Sequence, residues 1–166
     1  MYNVILFNSF KYLIVKLWKI LALDTNKKIL KWFDKEKRNL PWRNLDKSSI
    51  DVYKVWISEI MLQQTTVNAV IPYFEKFINK FPDIYSLANS KIEDVLSSWA
   101  GLGYYSRARN IHKCAEIIVR QFDGFFPKTE IELIKLPGIG DYTAGAICAI
   151  AYNRVAIAVD VNIERI

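Results

Sequence analysis

The chain contains little histidine and little cysteine, and this scarcity excludes some kinds of site. Its 166 residues include one histidine, His112, and two cysteines, Cys114 and Cys148. Two thiols this far apart form neither a metal site by themselves nor a disulfide framework. Each cysteine lies in an apolar, helix-like run, so we expect both to be buried and reduced. We expect His112 on the surface or near a phosphate rather than in catalysis.

The chain also lacks an uncharged apolar run long enough to span a membrane. Residues 4–23 are strongly apolar but carry Lys11, Lys16 and Lys19, and a lysine at the centre of a bilayer costs about 2–3 kcal/mol. The three lysines share one arc of a helical wheel, which is typical of a basic amphipathic helix rather than a membrane span. No small-residue cleavage site follows, so a secretory signal is not expected. Residues 1–28 are therefore an extension of open role: a partner-packing helix, a membrane-surface helix or untranslated upstream sequence. Binding to a membrane is the least favoured.

Acidic residues are scarce in the first part of the chain. Residues 1–50 hold 11 Lys/Arg and 4 Asp/Glu, whereas residues 51–166 hold 12 and 13, for a net charge of +6. A positive balance suits a polyanionic partner but does not identify one.

The apolar pattern predicts an all-α protein. Apolar residues recur at helical spacing in 29–37, 52–62, 67–78, 92–99, 108–119, 130–136 and 142–152. Proline and glycine separate these segments. Only residues 155–159 resemble a strand, and no repeat, low-complexity stretch or flexible linker occurs.

The turn at residues 136–140 is the most specific local feature. A helix is predicted to end at Leu136, Pro137 stops it, Gly138 and Gly140 allow positive φ, and Ile139 can return to the core. A second helix, rich in small residues that permit close helix packing, is predicted to begin near Tyr142. Backbone amides at such a turn and helix N-terminus bind phosphate without reading sequence. An ordinary helix–helix turn is the alternative. The expected contacts to the DNA backbone here are Pro137, Gly138, Ile139, Gly140 and Thr143.

A second candidate surface covers residues 101–109. No acidic residue occurs between Asp94 and Glu116, and Arg107 and Arg109 follow two tyrosines. Arginines beside tyrosines suit phosphate pairing and base stacking. We therefore expect both arginines to contact the DNA backbone, with a solvated helix face as the alternative.

Glu59 interrupts the apolar stripe of the helix predicted over 52–62. Burial disfavours a charged carboxylate and raises its pKa, as a general acid near neutral pH requires. The alternative is a glutamate that reaches solvent at the edge of the stripe. The amides of Gln63 and Gln64, directly after the stripe, are suited to a base edge.

Asp160 is the second candidate carboxylate. Locally it is equally well explained as a helix N-cap. A capping aspartate is ionised and held in place, which suits the stabilisation of an oxocarbenium-like cation. One neutral and one charged carboxyl group are the pair that glycosidic cleavage uses.

Five segments, in this order and spacing, resemble the adenine DNA glycosylases of the helix-hairpin-helix superfamily. They are residues 40–43, 56–65, 101–109, 136–146 and 159–166. The resemblance runs from about Ile29 to the last residue, and the second and third segments are far more specific than the hairpin alone. It implies a helix-hairpin-helix glycosylase fold with a nearly complete six-helix-type central domain over 56–166, whose hairpin lies at about 130–152. Residues 29–55 would then belong to a second, incomplete subdomain and expose apolar surface.

The resemblance also implies roles for individual residues. Glu59 would protonate an adenine mispaired with 8-oxoguanine or guanine, Asp160 would stabilise the sugar cation, and Asn162 would support it. Tyr142 stands where related bifunctional enzymes carry a Schiff-base lysine, so the enzyme would be monofunctional, and it would assist catalysis. The expected substrate contacts are Arg38, Trp42 and Leu62 as pocket walls, Gln63 at the base, and Gln64 and Tyr104 as wedges in the duplex.

The chain departs from the family pattern in two respects. Val161 replaces a glycine after the aspartate, and a β-branched residue lacks that backbone freedom. The four cysteines that hold the family's [4Fe–4S] cluster have no counterpart, since Cys114 and Cys148 do not match them, so no metal or cofactor is expected in this chain. The partner expected is mispaired double-stranded DNA, in the bacterial cytoplasm at the nucleoid. A less favoured alternative is that a separate chain supplies the missing C-terminal part. The alternative functions are a DNA-binding remnant or a split-gene fragment without turnover.

Overall fold

The computed structural model describes residues 24–43 and 50–159. The predictions for residues 1–23 and for Asp160, Val161 and Asn162 lie outside these ranges. The chain divides after Asn39 into two units, which are described separately.

In the first unit, helix α1 covers residues 24–36 of the described part. Its apolar side chains are largely exposed, with Ile29 at 54%, Leu30 at 63% and Trp32 at 63%. Trp56, in contrast, is fully buried in the second unit. The expectation that residues 29–55 expose apolar surface holds for α1, whereas Leu40, Trp42, Tyr53 and Val55 in the second unit are buried. The assignment of residues 29–55 to an incomplete subdomain stays a prediction.

The second unit is built from seven further helices in its described part. They are α2 (Val52–Leu62), α3 (Val67–Lys80), α4 (Ile84–Ala88), α5 (Ile92–Trp99), α6 (Tyr105–Phe122), α7 (Glu130–Leu133) and α8 (Asp141–Ile150). The long helix α6 packs against α4, α5 and α2, and α2 also packs against α3 and α8. Helix α2 therefore occupies a central position, and the residues at its end are set by three neighbours.

The core of the second unit is aromatic. Trp56 and Trp99 are fully buried, as is Phe77, and the rings of Phe77 and Trp99 meet edge to face at 6.0 Å. The Trp56 ring meets Phe126 in the same way at 5.2 Å. Aromatic pairs at these distances add about 0.5–1.5 kcal/mol each beyond the burial of their area, so α2 is held firmly among its neighbours.

The predicted all-α class is confirmed, and the bounds of α2 and α5 match the predicted ones. Asp51 starts α2 by accepting hydrogen bonds from the backbone amides of Tyr53 and Lys54 at 3.0 and 3.4 Å. The short helix α4 was not predicted. Its start is fixed by a capping box between Asp83 and Ser86 rather than by an apolar period, which five residues are too few to display.

Residues 155–159 do not form the strand that their composition suggested, and no β-strand occurs within 24–43 or 50–159. This segment runs past α8 without a partner strand. A Cβ placed on Gly145 of α8 would lie 2.7 Å from the carbonyl oxygen of Ile157. The absence of a side chain at Gly145 therefore lets the main chain at Ile157 lie close against α8.

Both cysteines are buried free thiols, as predicted. Burial raises the pKa of Cys114 to about 12, so this thiol stays protonated and unreactive. Among the described residues, no helix combines the length and apolar character needed to cross a membrane.

Candidate functional site

Glu59 lies on the last two turns of α2 and is partly buried. Its neighbours on the helix, Ser58 and Ile60, are almost completely buried, so the carboxyl group stands at the edge of the core. Burial raises the pKa of Glu59 above its usual value. The direction agrees with the expectation for a carboxyl group that carries a proton near neutral pH.

Two further side chains act on the Glu59 carboxyl group in the opposite direction. Tyr142, in the first turn of α8, donates a hydrogen bond to it, and the positive charge of Arg43 lies near it. Both favour the charged carboxylate and lower the pKa of Glu59, but less than burial raises it. Burial of the site therefore favours the neutral carboxyl group, while Tyr142 and Arg43 favour the carboxylate.

Arg43 is a site residue that the sequence reasoning did not single out. It follows Trp42 in one of the five matching segments, yet only Trp42 had been given a role there. The available signal was its place in that motif, since nothing local shows that a residue 16 positions before Glu59 returns to the end of α2.

Gln63 and Thr143 join α2 to α8 beside this site. The Gln63 side-chain amide donates to Thr143 Oγ1 at 3.4 Å, and Thr143 is 2% exposed. The side chain of Thr143 is therefore used inside the protein, so any contact that it makes with a DNA backbone has to come from its main-chain amide. Gln63 remains half-buried next to Glu59's helix turn.

The three side chains predicted as pocket walls differ in how far they are buried. The ring of Trp42 is 7% exposed and packs edge to face on Phe74 at 5.2 Å, so most of its area belongs to the core. Leu62 packs partly buried against the same core. Arg38 is an exposed residue of the first unit and is described apart from the site.

The predicted wedge residues, Gln64 and Tyr104, are exposed and share an unusual backbone. Gln64 has φ 55° and Tyr104 has φ 48°, the left-handed region that residues other than glycine seldom adopt. Tyr104 is 62% exposed. Each residue lies in a tight turn, one after α2 and one before α6, and points its polar or aromatic side chain away from the core.

The hairpin turn lies where it was predicted, but the helix before it, α7, ends at Leu133 rather than at Leu136. Ile139 is 4% exposed and thus returns to the core, and Gly138 has φ 78°. Gly140, in contrast, has φ −95° and ψ −178°, an extended backbone open to any residue, so the predicted positive φ is wrong there. Pro137 is half-buried, and α8 begins at Asp141, one residue before the predicted start.

The N-terminus of α8 offers main-chain donors. Gly140 caps the helix without a side-chain hydrogen bond, and the first intrahelical bond runs from the amide of Ala144 to the Gly140 carbonyl at 2.9 Å. The amides that precede Ala144 in the first turn have no acceptor within the helix. Together with the helix dipole they favour an anion at this end.

The two arginines of α6 differ in position. Arg109 is exposed, in agreement with a contact to a DNA backbone. Arg107 is 8% exposed, and its guanidinium donates to main-chain carbonyl groups of the protein. The structure therefore disagrees with the phosphate contact predicted for Arg107. The prediction was wrong because the local pattern of arginine and tyrosine does not reveal which side of α6 is buried.

The described residues do not fit a [4Fe–4S] cluster. Within 24–43 and 50–159, no three His, Cys, Asp or Glu side chains are grouped as metal ligands, and Cys114 and Cys148 are buried in different helices. The site around Glu59 is consequently described through its own side chains.

Residues 57–166 match the model of the HhH-GPD superfamily of base excision DNA repair proteins. The match covers more than half of the chain, which therefore belongs to this superfamily. Among curated proteins it is similar to the adenine DNA glycosylase of Buchnera aphidicola subsp. Acyrthosiphon pisum (strain APS), with 51% identity over 83% of this chain and 39% of that protein. It is also similar to the human adenine DNA glycosylase, with 44% identity over 83% of this chain and 26% of that protein. The chain thus spans about two fifths or less of the length of these relatives.

Solved structures show the same fold. A non-covalent endonuclease III–DNA complex matches with a TM-score of 0.73 and 26% identity over 89% of this chain and 66% of that one. A thermostable thymine-DNA glycosylase matches with a TM-score of 0.72 and 27% identity over 83% of this chain and 65% of that one. The predicted helix-hairpin-helix glycosylase fold is confirmed.

Proposed function

We propose that the chain carries the catalytic helices of a monofunctional adenine DNA glycosylase, which hydrolyses the bond between adenine and deoxyribose when adenine is mispaired with 8-oxoguanine or guanine. The observation that carries the proposal is the partly buried Glu59 carboxyl group with its raised pKa, held beside Tyr142 at the start of the helix that follows the hairpin. The relatives named adenine DNA glycosylase support the choice of base.

In the proposed reaction, protonated Glu59 donates its proton to the extruded adenine. The bond between the base and C1′ then breaks, its electron pair leaves with adenine, and positive charge develops on the sugar. Tyr142 and Arg43 stabilise the Glu59 carboxylate that remains. Water held near that carboxylate adds to C1′ and returns a proton to Glu59, which restores the starting state.

The roles of Asp160 and Asn162 are proposed from the family pattern alone. The Asp160 carboxylate would face the sugar cation and lower its energy, and Asn162 would support it. Tyr142 provides no amine for an imine, so the reaction would stop at the abasic site without β-elimination.

Binding to the duplex would use two kinds of contact. Main-chain amides at Gly138 and Gly140 and in the first turn of α8 would hold one phosphate, and exposed Arg109 another. The amide of Ile139 already donates to the Leu136 carbonyl oxygen at 3.2 Å, so Ile139 would support the turn rather than bind the phosphate. Gln64 and Tyr104 would enter the gap left by the extruded adenine, with Trp42, Leu62 and Gln63 nearer the base. Such a protein would work where chromosomal DNA is found, which in a bacterium is the nucleoid.

The test uses the full chain and a duplex with one adenine opposite 8-oxoguanine, labelled on the adenine strand. With protein in excess, alkali should reveal a break at that adenine only. Glu59→Gln keeps the shape and hydrogen-bonding capacity but cannot donate the proton, so the cleavage rate should fall by about 1,000-fold with little change in DNA affinity. Thymine opposite 8-oxoguanine serves as the control duplex.

Two outcomes would contradict the proposal. Retained cleavage in Glu59→Gln would remove Glu59 from the mechanism. A band shift by the wild-type chain without any alkali-revealed break would favour a DNA-binding protein without turnover.

A further inference from the structure

Arg107 is a buried cation whose guanidinium is surrounded by main-chain oxygens. It lies in the first turn of α6 and is 8% exposed. Its Nη1 atom donates to three carbonyl oxygens at the end of α2, those of Ile60 and Met61 at 2.9 Å each and of Gln63 at 2.7 Å. A positive charge at these carbonyl groups is favourable, because the C-terminal end of a helix carries partial negative charge.

The other terminal nitrogen of Arg107 reaches the turn before α6. Its Nη2 atom donates to the carbonyl oxygens of Gly103 at 3.3 Å and Leu102 at 3.4 Å, and to Thr65 Oγ1 at 3.4 Å. The rings of Trp99 and Tyr104 lie 5.4 Å from the guanidinium carbon, within range of a cation–π contact. One guanidinium therefore joins residues 60–65 to residues 102–104.

Within these two segments, Gln64 and Tyr104 are exposed and adopt a left-handed backbone. A non-glycine residue in this region costs on the order of 1–3 kcal/mol and persists only where its surroundings hold it. The hydrogen bonds of Arg107 fall on the residues immediately around both positions. Lysine could not replace it, since an ammonium group lacks the planar fork that reaches both turns.

We propose that Arg107 is a positioning residue that holds the turns of Gln64 and Tyr104 in one fixed arrangement, so that both side chains enter the duplex together when the base is extruded. This role replaces the phosphate contact that the sequence suggested for Arg107. It rests on the proposed function, because it assigns Arg107 to base extrusion rather than to the bond-breaking step.

The test compares Arg107→Lys and Arg107→Met with Arg120→Lys, a change at an exposed arginine near the end of the same helix. A duplex that carries 2-aminopurine in place of the target adenine reports extrusion by its fluorescence. Both Arg107 variants should lose about tenfold in the extrusion rate and in the single-turnover cleavage rate at saturating protein. Their DNA affinity should stay within about threefold, because the hairpin and Arg109 are intact. Arg120→Lys should match the wild type.

An effect of the Arg107 variants on DNA affinity instead of on the extrusion and cleavage rates would overturn the proposal. Lower affinity with a salt dependence reduced by about one charge, at an unchanged saturated rate, would show that Arg107 contacts a phosphate. Unchanged extrusion in folded variants would also refute it. Hydrogen exchange in the free wild-type protein judges the arrangement if neither variant folds. The amides of Thr65 and Leu102 donate to the carbonyl oxygens of Leu62 at 3.2 Å and Trp99 at 3.0 Å, so both should exchange slowly, and rapid exchange at these two amides would refute a rigid pair of turns.

The same series separates this inference from the proposed function. A wild-type chain that extrudes 2-aminopurine but cleaves no mispaired adenine would refute the adenine glycosylase and leave the role of Arg107 supported by the extrusion data. Cleavage at the wild-type rate by Arg107→Met would refute the role of Arg107 alone.

Discussion

The surface around Glu59 and the hairpin turn at residues 137–140 meet at the start of α8. Side chains form the first, and the main chain forms the second. Around Glu59, side chains from three segments converge: Arg43, Glu59 itself and Tyr142. At the hairpin, main-chain amides and a glycine with φ 78° form the surface. Only one residue along the chain, Asp141, separates Gly140 from Tyr142.

This difference indicates that substitutions can alter the chemical step and DNA binding separately. Substitutions that keep the backbone but change a functional group should act on the rate and the pH profile. Substitutions that keep every functional group but change backbone freedom should act on stability and affinity. Substitutions of Gly138 and Gly140 test the hairpin turn, and a substitution of Tyr142 tests the Glu59 site.

Gly138→Ala should have the largest effect of these three. Its φ of 78° strains any residue with a side chain, and the added Cβ would lie 2.9 Å from Cβ of Asn110 on α6. The left-handed backbone alone costs about 1–2 kcal/mol, and the contact adds to it. A thermal melt should show the loss of stability, and DNA affinity should fall at least tenfold as the turn shifts. Wild-type affinity would show that the hairpin does not grip DNA.

Tyr142→Phe should act on the pH profile rather than on affinity. The Tyr142 hydroxyl lowers the pKa of Glu59, so its removal should raise that pKa further. A reaction that needs protonated Glu59 loses rate as pH rises through this pKa, so the decline should move to higher pH in the variant. Single-turnover rates from pH 5 to 9 measure this shift. A decline that moves to lower pH would contradict the assignment of Glu59 as the acid.

Gly140→Ala should have the smallest effect. The backbone there is extended, with φ −95°, and no atom lies within 4 Å of an added Cβ. Stability should therefore fall by no more than about 1 kcal/mol, the difference between glycine and alanine at a helix N-cap. A thermal melt alongside Gly138→Ala gives the comparison. A loss as large as that of Gly138→Ala would mean that the two glycines are equivalent, as the sequence pattern suggested.

The sequence predicted those features that depend on neighbours along the chain. The apolar period located α2 and α5 correctly, and the Pro-Gly punctuation located the turn that returns Ile139 to the core. The helix α4 was not predicted because its sequence signal is an N-terminal capping box rather than a periodic apolar pattern. The backbone angle of Gly140 escaped because the presence of a glycine does not reveal whether its freedom is used.

The burial of Arg107 could not be predicted from its surroundings in sequence. Its acceptors on α2 lie 44–47 residues away, so only the packing of α6 against α2 decides which arginine faces inward. Arg43 illustrates the same point at the Glu59 site. Predictions of which residue type takes part in chemistry were thus easier than predictions of which one supports it.

The guanidinium between the two turns also bears on how any titration of this protein should be understood. An arginine side chain keeps its proton throughout the range in which carboxyl groups and histidines titrate. The arrangement of residues 60–65 and 102–104 should accordingly stay the same across the pH range in which the Glu59 carboxyl group titrates. The dependence of the cleavage rate on pH would then reflect the titration of Glu59 on α2 and not a change in the structure of the two turns.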